Sequence, residues 1–183
     1  MVGGCNGAGK STYASRFLSD SDYINPDALQ AEQEVSAFEI GRFVVNLVET
    51  KLESGNDFVL ESTFSDRRGL NLFRQARAAG WRTRLIFVGL DSPLLHKERV
   101  ALRVSKGGHY IADELIERRY PRALENLKAA LTEVDEILVL GNSGQDFCEI
   151  AEFRNGIVSN IFPQGEAEGY FAEYVRKLGS EVG

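Results

Sequence analysis

Four residues near the start of the chain have the types and spacing needed to grip a polyphosphate. In "GGCNGAGKST", Gly4, Gly9, Lys10 and Ser11 fit G-x-x-x-x-G-K-[ST] at every fixed position. Glycine lets successive backbone N–H groups turn inward around an anion, in conformations that a Cβ hinders. Lys10 offers an ammonium to the β- and γ-phosphates, and Ser11 a hydroxyl to Mg²⁺. Asn6, Gly7, Ala8 and Thr12 complete the stretch expected to bind the nucleotide. Tyr13, Phe17 and Leu18 follow at helical spacing, so a helix N-terminus lies behind the loop and adds positive dipole to the anion site.

Acids that can work beside such a loop come next. In "YINPDAL", Asn25 can cap a helix, Pro26 suits its first position, and Asp27 falls in its first turn. That alone accounts for all three residues. Asp27 also stands at the carboxyl end of a predicted strand, where ligands of open α/β sheets bind. There its carboxylate can take the proton of an attacking hydroxyl. In "DFVLESTFSD", Glu61, Ser62 and Thr63 end an apolar strand at the same rim. Glu61 can hold Mg²⁺ through water or bind the acceptor, and Ser62 and Thr63 can bind the acceptor's polar groups. Plain strand-end solvation is the alternative for all three.

A basic stretch follows, with Arg99, Arg103, Lys106, Arg118, Arg119 and Arg122 around a flexible "KGGHYI" joint. Arg99 and Arg103 share one helix face, as do Arg118 and Arg122. Guanidinium groups closing over a transferring phosphoryl group stabilise its spreading charge and exclude water. The competing role is a solvated face in which Glu114 pairs with Arg118. His109, behind two glycines, is either a donor to phosphate or acceptor, or structural.

The elements that must position these residues alternate between short apolar runs and helical patterns, which is the mark of an α/β fold with a parallel sheet. Strands are predicted at "DYI", 57–62, 84–90 and 136–140. Helices are predicted from Ser36 to Glu53 with Phe38, Gly41, Val45, Val48 and Leu52 on one face, and from Pro93 to Ser105. A further apolar stripe (Ile116, Tyr120, Ala123, Leu127, Leu131) runs through Pro121, which is expected to kink or break its helix. Asn155-Gly156 signals a hairpin, and a last helix carries Tyr170, Phe171, Tyr174 and Leu178. The whole is a P-loop NTPase three-layer sandwich: one domain over 1–183, a mostly parallel central sheet, a basic helical lid at about 99–122, and a C-terminal β-hairpin plus helix. The central strand should need about five or six residues, yet Met1 and Val2 alone precede the glycines, so residues upstream are expected to be missing.

Composition narrows the class. A net charge of −6 over 183 residues argues against broad nucleic-acid binding. Two cysteines make neither a disulfide framework nor a metal site, which suits a reducing cytoplasm. The apolar runs are too short for a membrane span. The N-K-x-D base reader of GTPases is absent, and "NSGQ" matches an ABC-ATPase signature only superficially, which leaves the small-molecule kinases.

"GGCNGAGKST", "NPD", "EST" and "SPLLHKERVALRVSKGGHYIADELIERRY", in this order, resemble the zeta-toxin-like kinases, over roughly residues 1–145. The likeness is stronger still to a short bacterial branch labelled predicted ABC-type ATPases. The resemblance implies ATP-dependent phosphorylation of a sugar nucleotide, with UDP-N-acetylglucosamine as the family's acceptor. Lys10 and Ser11 would bind ATP·Mg²⁺, Asp27 would be the general base, Glu61 and Thr63 would line the acceptor pocket, and Arg103 would clamp phosphate. The family's second clamp arginine falls near His109, a departure that leaves Arg118, Arg119 or Arg122 for that role. Cys5 stands where the short branch has proline. A small protein antitoxin is the partner the family implies. The alternatives are a kinase for another hydroxyl, on a nucleoside or a nucleic-acid 5′ end, and a nucleotide-binding interaction module with little catalysis.

Overall fold

The computed structural model describes residues 1–33, 36–163 and 169–182. Its strands are β1 (Val2–Gly3), β2 (Tyr23–Ile24), β3 (Val59–Ser62), β4 (Arg84–Gly89), β5 (Glu136–Gly141), β6 (Cys148–Arg154) and β7 (Ile157–Ile161). Its helices are α1 (Lys10–Phe17), α2 (Pro26–Gln33), α3 (Ala37–Ser54), α4 (Arg68–Ala78), α5 (Pro93–Ser105), α6 (Asp113–Ala130) and α7 (Tyr170–Glu181). Among the described residues the strands form one seven-stranded sheet in the order β2-β3-β1-β4-β5-β6-β7. The first five strands are parallel and the last two add an antiparallel hairpin. This is the α/β sandwich expected from the sequence.

The apolar runs of β4 and β5 are continuous because both faces are covered. Leu85, Phe87, Ile137 and Val139 enter the larger core beneath α4, α6 and α7, with Phe64, Leu127 and Phe171. Ile86, Val88, Leu138 and Leu140 enter a smaller core with Val2 and Ala8, onto which Tyr13, Leu18, Tyr23 and Val59 pack. The Asn155-Gly156 turn forms as expected, with φ of 50° and 82° at its two central residues.

Two elements depart from expectation. The helix at Pro121 does not break: α6 runs from Asp113 to Ala130 through it. Pro121 is exposed, so its ring and the missing N–H lie on the outer side. Ile116, Tyr120, Ala123 and Leu127 hold both halves in the core. In α3 the inward stripe is rotated: Ile40 and Val48 are buried, while Phe38 is 73% exposed and Val45 also faces out. Val48 points inward as predicted, but packing turns the buried face toward Ile40 and Val44 and away from Phe38 and Val45. The first strand is as short as the sequence indicated: β1 spans two residues, and no other described strand takes the place between β3 and β4. Val2 and Gly3 pair with Glu61 and Ser62 on one side and with Ile86 and Phe87 on the other. Ile86 N also donates to the Met1 carbonyl at 2.9 Å.

No described helix is long and apolar enough to cross a membrane.

Candidate phosphate-binding site

The loop between β1 and α1 closes around its own backbone. Gly4 and Gly7 have φ of 139° and 81°. A Cβ on Gly4 would collide with the Val88 carbonyl oxygen, and one on Gly7 would sit 2.7 Å from that of His96. Both positions therefore require glycine for conformation and for space. Ala8 N donates to Cys5 O at 3.2 Å, and Tyr13 N to Gly9 O at 2.9 Å as α1 begins.

Three side chains from distant elements brace this loop. His96 of α5, 1% exposed, has its Nδ1 2.7 Å from Asn6 O, so Nδ1 carries the proton. Its Nε2 is buried with no partner among the described residues. Burial is the main reason its pKa falls to about 4, with Lys10 and Arg99 adding to the effect, and the ring is neutral. Asn142, just past β5, donates Nδ2 to Ala8 O at 2.7 Å. Arg119 of α6 donates Nη1 to the Asn6 side-chain oxygen at 2.7 Å.

Lys10 and Ser11 open α1 and converge on Glu61, at the end of β3. Lys10 is 6% exposed and Glu61 7%. Lys10 Nζ lies 3.6 Å from Glu61 Oε1 and donates to Cys5 O at 3.3 Å. Glu61 Oε2 accepts from Ser11 Oγ at 2.8 Å, from Asn25 Nδ2 at 3.2 Å and from the Tyr23 hydroxyl. Parallel pairing dictates this meeting, because Val2 of β1 lies beside Glu61, and Tyr23 of β2 beside Val59.

Asn25 does two jobs. Its Oδ1 caps α2 by accepting from Asp27 N at 3.0 Å and Ala28 N at 3.2 Å, while its Nδ2 reaches Glu61. The capping expected from "NPD" is present. Asp27 is exposed in the first turn of α2. Its charge and that of Asp66 act on Arg119, partly offsetting the burial that lowers the arginine's pKa.

Of the residues singled out in the sequence, Asn6, Lys10, Ser11, Glu61 and Arg119 gather at one rim, with Asp27 in electrostatic reach of Arg119. Others are engaged elsewhere. Arg103 Nη2 donates to the His109 carbonyl at 2.8 Å, so these two secure each other's loop. Arg99 donates to the carbonyls of Asn142 and Gly144 and ties α5 to the loop after β5. Arg118 and Arg122 are exposed and form no ion pair among the described residues. Glu114 does not pair with Arg118; the pairs on that surface run from Lys97 to Glu117 at 2.6 Å and Asp113 at 3.7 Å. Ser62 Oγ accepts from Phe64 N at 3.0 Å, Thr63 Oγ1 lies 3.0 Å from Ser65 Oγ, and Thr12 is exposed.

Sequence reasoning missed Tyr23, His96, Asn126 and Asn142. Asn126 of α6 donates to the carbonyls of Phe64 at 2.9 Å and Asp66 at 3.0 Å. It thereby holds the turn after β3, where Phe64 sits at φ 54°. A polar residue inside the apolar stripe of α6 was the one available signal for Asn126. The other three carry none that local pattern exposes.

Residues 1–128 match the family model of the AAA domain. The chain belongs to this family. The matched span of the AAA domain takes in the loop, Glu61 and Arg119, and stops before β5. The fold is similar to that in the crystal structure of AvrRxo1-ORF1:-ORF2 with ATP, with a TM-score of 0.68 and 13% identity. That likeness covers 97% of this chain but 62% of the other, so this chain spans under two thirds of that protein's length. It is also similar to a chain of the PezAT chromosomal toxin–antitoxin system of Streptococcus pneumoniae, with a TM-score of 0.62, 15% identity, and 97% and 75% of the two chains covered. An uncharacterized protein of Haemophilus influenzae strain Rd is 28% identical over 123 residues, which is 64% of this chain and 88% of that protein. The architecture is a P-loop kinase-like fold.

Proposed function

We propose that this AAA domain is an ATP-dependent phosphotransferase carrying the γ-phosphate to a hydroxyl of a small molecule. A sugar nucleotide is the acceptor class, and UDP-N-acetylglucosamine the first candidate. The observation that carries the proposal is the convergence of Lys10, Ser11, Glu61 and Arg119 on a phosphate loop, with the charge of Asp27 acting on the same arginine. A pure nucleotide switch needs no acid there.

Lys10 holds the β- and γ-phosphates, exchanging part of its pairing with Glu61 for phosphate oxygens. Arg119 turns from the Asn6 amide to the equatorial oxygens of the transferring group. Asp27 accepts the proton as the acceptor oxygen bonds to the γ-phosphorus and the bond to the β-phosphate oxygen breaks, releasing ADP. Arg103 joins the clamp by giving up the His109 carbonyl. Ser62, Thr63, His109, Arg118 and Arg122 are the residues left to contact the acceptor.

The Ser11 hydroxyl is a hard oxygen donor of the kind Mg²⁺ prefers, and the Glu61 carboxylate, 2.8 Å from it, would hold the ion through water. The described residues contain no group of three or more His, Cys, Asp and Glu arranged to hold a metal, so phosphate oxygens and water would complete its shell. Held by Ser11, Mg²⁺ would supply positive charge against that building on the phosphates. The likeness to a chain of the PezAT toxin–antitoxin system supports a small protein partner for this chain as well.

The test is to incubate the protein with ATP and a panel of UDP-sugars and nucleosides, then identify any new phosphate ester by mass. A phosphorylated sugar nucleotide is expected. Asp27→Asn should lower kcat by about 10²–10⁴-fold and leave ATP binding in place. Unchanged turnover in that variant would remove Asp27 from the mechanism.

A further inference from the structure

The phosphotransferase reading gives work to Lys10, Ser11, Asp27, Glu61 and Arg119 but none to Tyr23, whose hydroxyl donates to the Glu61 oxygen that Ser11 also meets. Tyr23 pairs with Val59 in parallel register, two residues before Glu61, so its ring stands on the sheet face that carries Val59 and Glu61. The ring packs in the small core beneath α1. From there the hydroxyl reaches Glu61 Oε2.

A serine hydroxyl rotates freely, and its lone pairs point wherever the acceptor of its single proton leaves them. Ser11 gives that proton to Glu61 Oε2. The orientation of Glu61 therefore sets where the Ser11 lone pairs face, with Asn25 Nδ2 donating to one of them at a longer 3.5 Å. Glutamate at a strand end has three soft torsions, and Lys10 lies 3.6 Å from its other oxygen. Asn25 and Tyr23 resist that pull, and Tyr23 does so from a rigid ring on the neighbouring strand. Partners one step removed from a metal ligand orient it in this way.

We propose that Tyr23 is a positioning residue: through Glu61 it fixes the Ser11 hydroxyl in the orientation that receives a divalent cation together with its nucleotide. This rests on the phosphotransferase reading, because it needs a metal–nucleotide complex at Ser11.

Tyr23→Phe removes the hydroxyl and keeps the ring. Affinity for a fluorescent ATP analogue is measured with Mg²⁺ and with EDTA, alongside the melting temperature, in wild type, Tyr23→Phe, Ser11→Ala and the double variant. Wild type should bind the Mg²⁺ form more tightly. Tyr23→Phe should lose about 10-fold for that form, with EDTA binding and melting temperature unchanged. In the Ser11→Ala background the same substitution should cost nothing further. If Tyr23→Phe binds the Mg²⁺ form as wild type does, the role of Tyr23 is overturned and the phosphotransferase reading stands. Equal losses in both forms, a loss that persists without Ser11, or a collapsed melting temperature make Tyr23 merely structural and also overturn it. If wild type is indifferent to Mg²⁺, both readings fall together.

Discussion

The rim around Glu61 and the segment around Arg103, expected from the sequence to act as a lid, hold similar charged groups in opposite ways. At the rim, Lys10 and Glu61 are nearly buried and each polar atom meets a partner from another element. At the lid, Arg103 and His109 secure one another through a single main-chain carbonyl, and Arg118 and Arg122 lie in solvent. The rim is set by sheet register before any ligand arrives, which is the economical way to present charge to a polyphosphate. The lid's guanidinium groups are screened and weakly held, so moving them costs little.

Lys10→Ala strikes the rim hardest. It should cost at least about 10³-fold in kcat/KM and abolish measurable nucleotide binding in a fluorescence titration; retained binding would dissolve the contrast. Next is the brace at His96, whose pKa of about 4 lies below the 6.5 of a free histidine. The unfolded chain binds the extra proton, so stability is full above pH 6.5 and is lost as pH falls toward 4. That loss should be about 3 kcal/mol across the window, read as the difference between wild type and His96→Gln in urea unfolding at pH 7 and pH 4. Smaller again, Arg119→Ala should lower kcat by about 10²-fold. Arg103→Ala should cost less, about 10-fold, since Arg103 must first leave His109. The reverse order in steady-state kinetics would move the clamp from rim to lid.

Local chemistry made much of this legible. The glycine and lysine spacing announced the phosphate loop, the runs at 84–90 and 136–140 announced strands buried on both faces, and Asn155-Gly156 announced its turn. Illegible were the pairings made by register and packing. Nothing near Tyr23 in the chain says that Glu61 stands above it, because that follows from β2 lying beside β3. Choosing Arg119 among three neighbouring arginines required the angle of α6 to the loop. The rotated face of α3 shows that neighbouring apolar positions cannot be ranked without the surface they meet.

Asn126 and Arg119 lie seven residues apart, two turns along α6. One grips the turn that leaves β3 and the other touches Asn6 in the loop after β1. The helix is thus a rod pinned to the exits of two neighbouring strands. It cannot roll or slide without tugging the turn beyond Glu61 and the loop after β1 together, so a shift of α6 must move both in step.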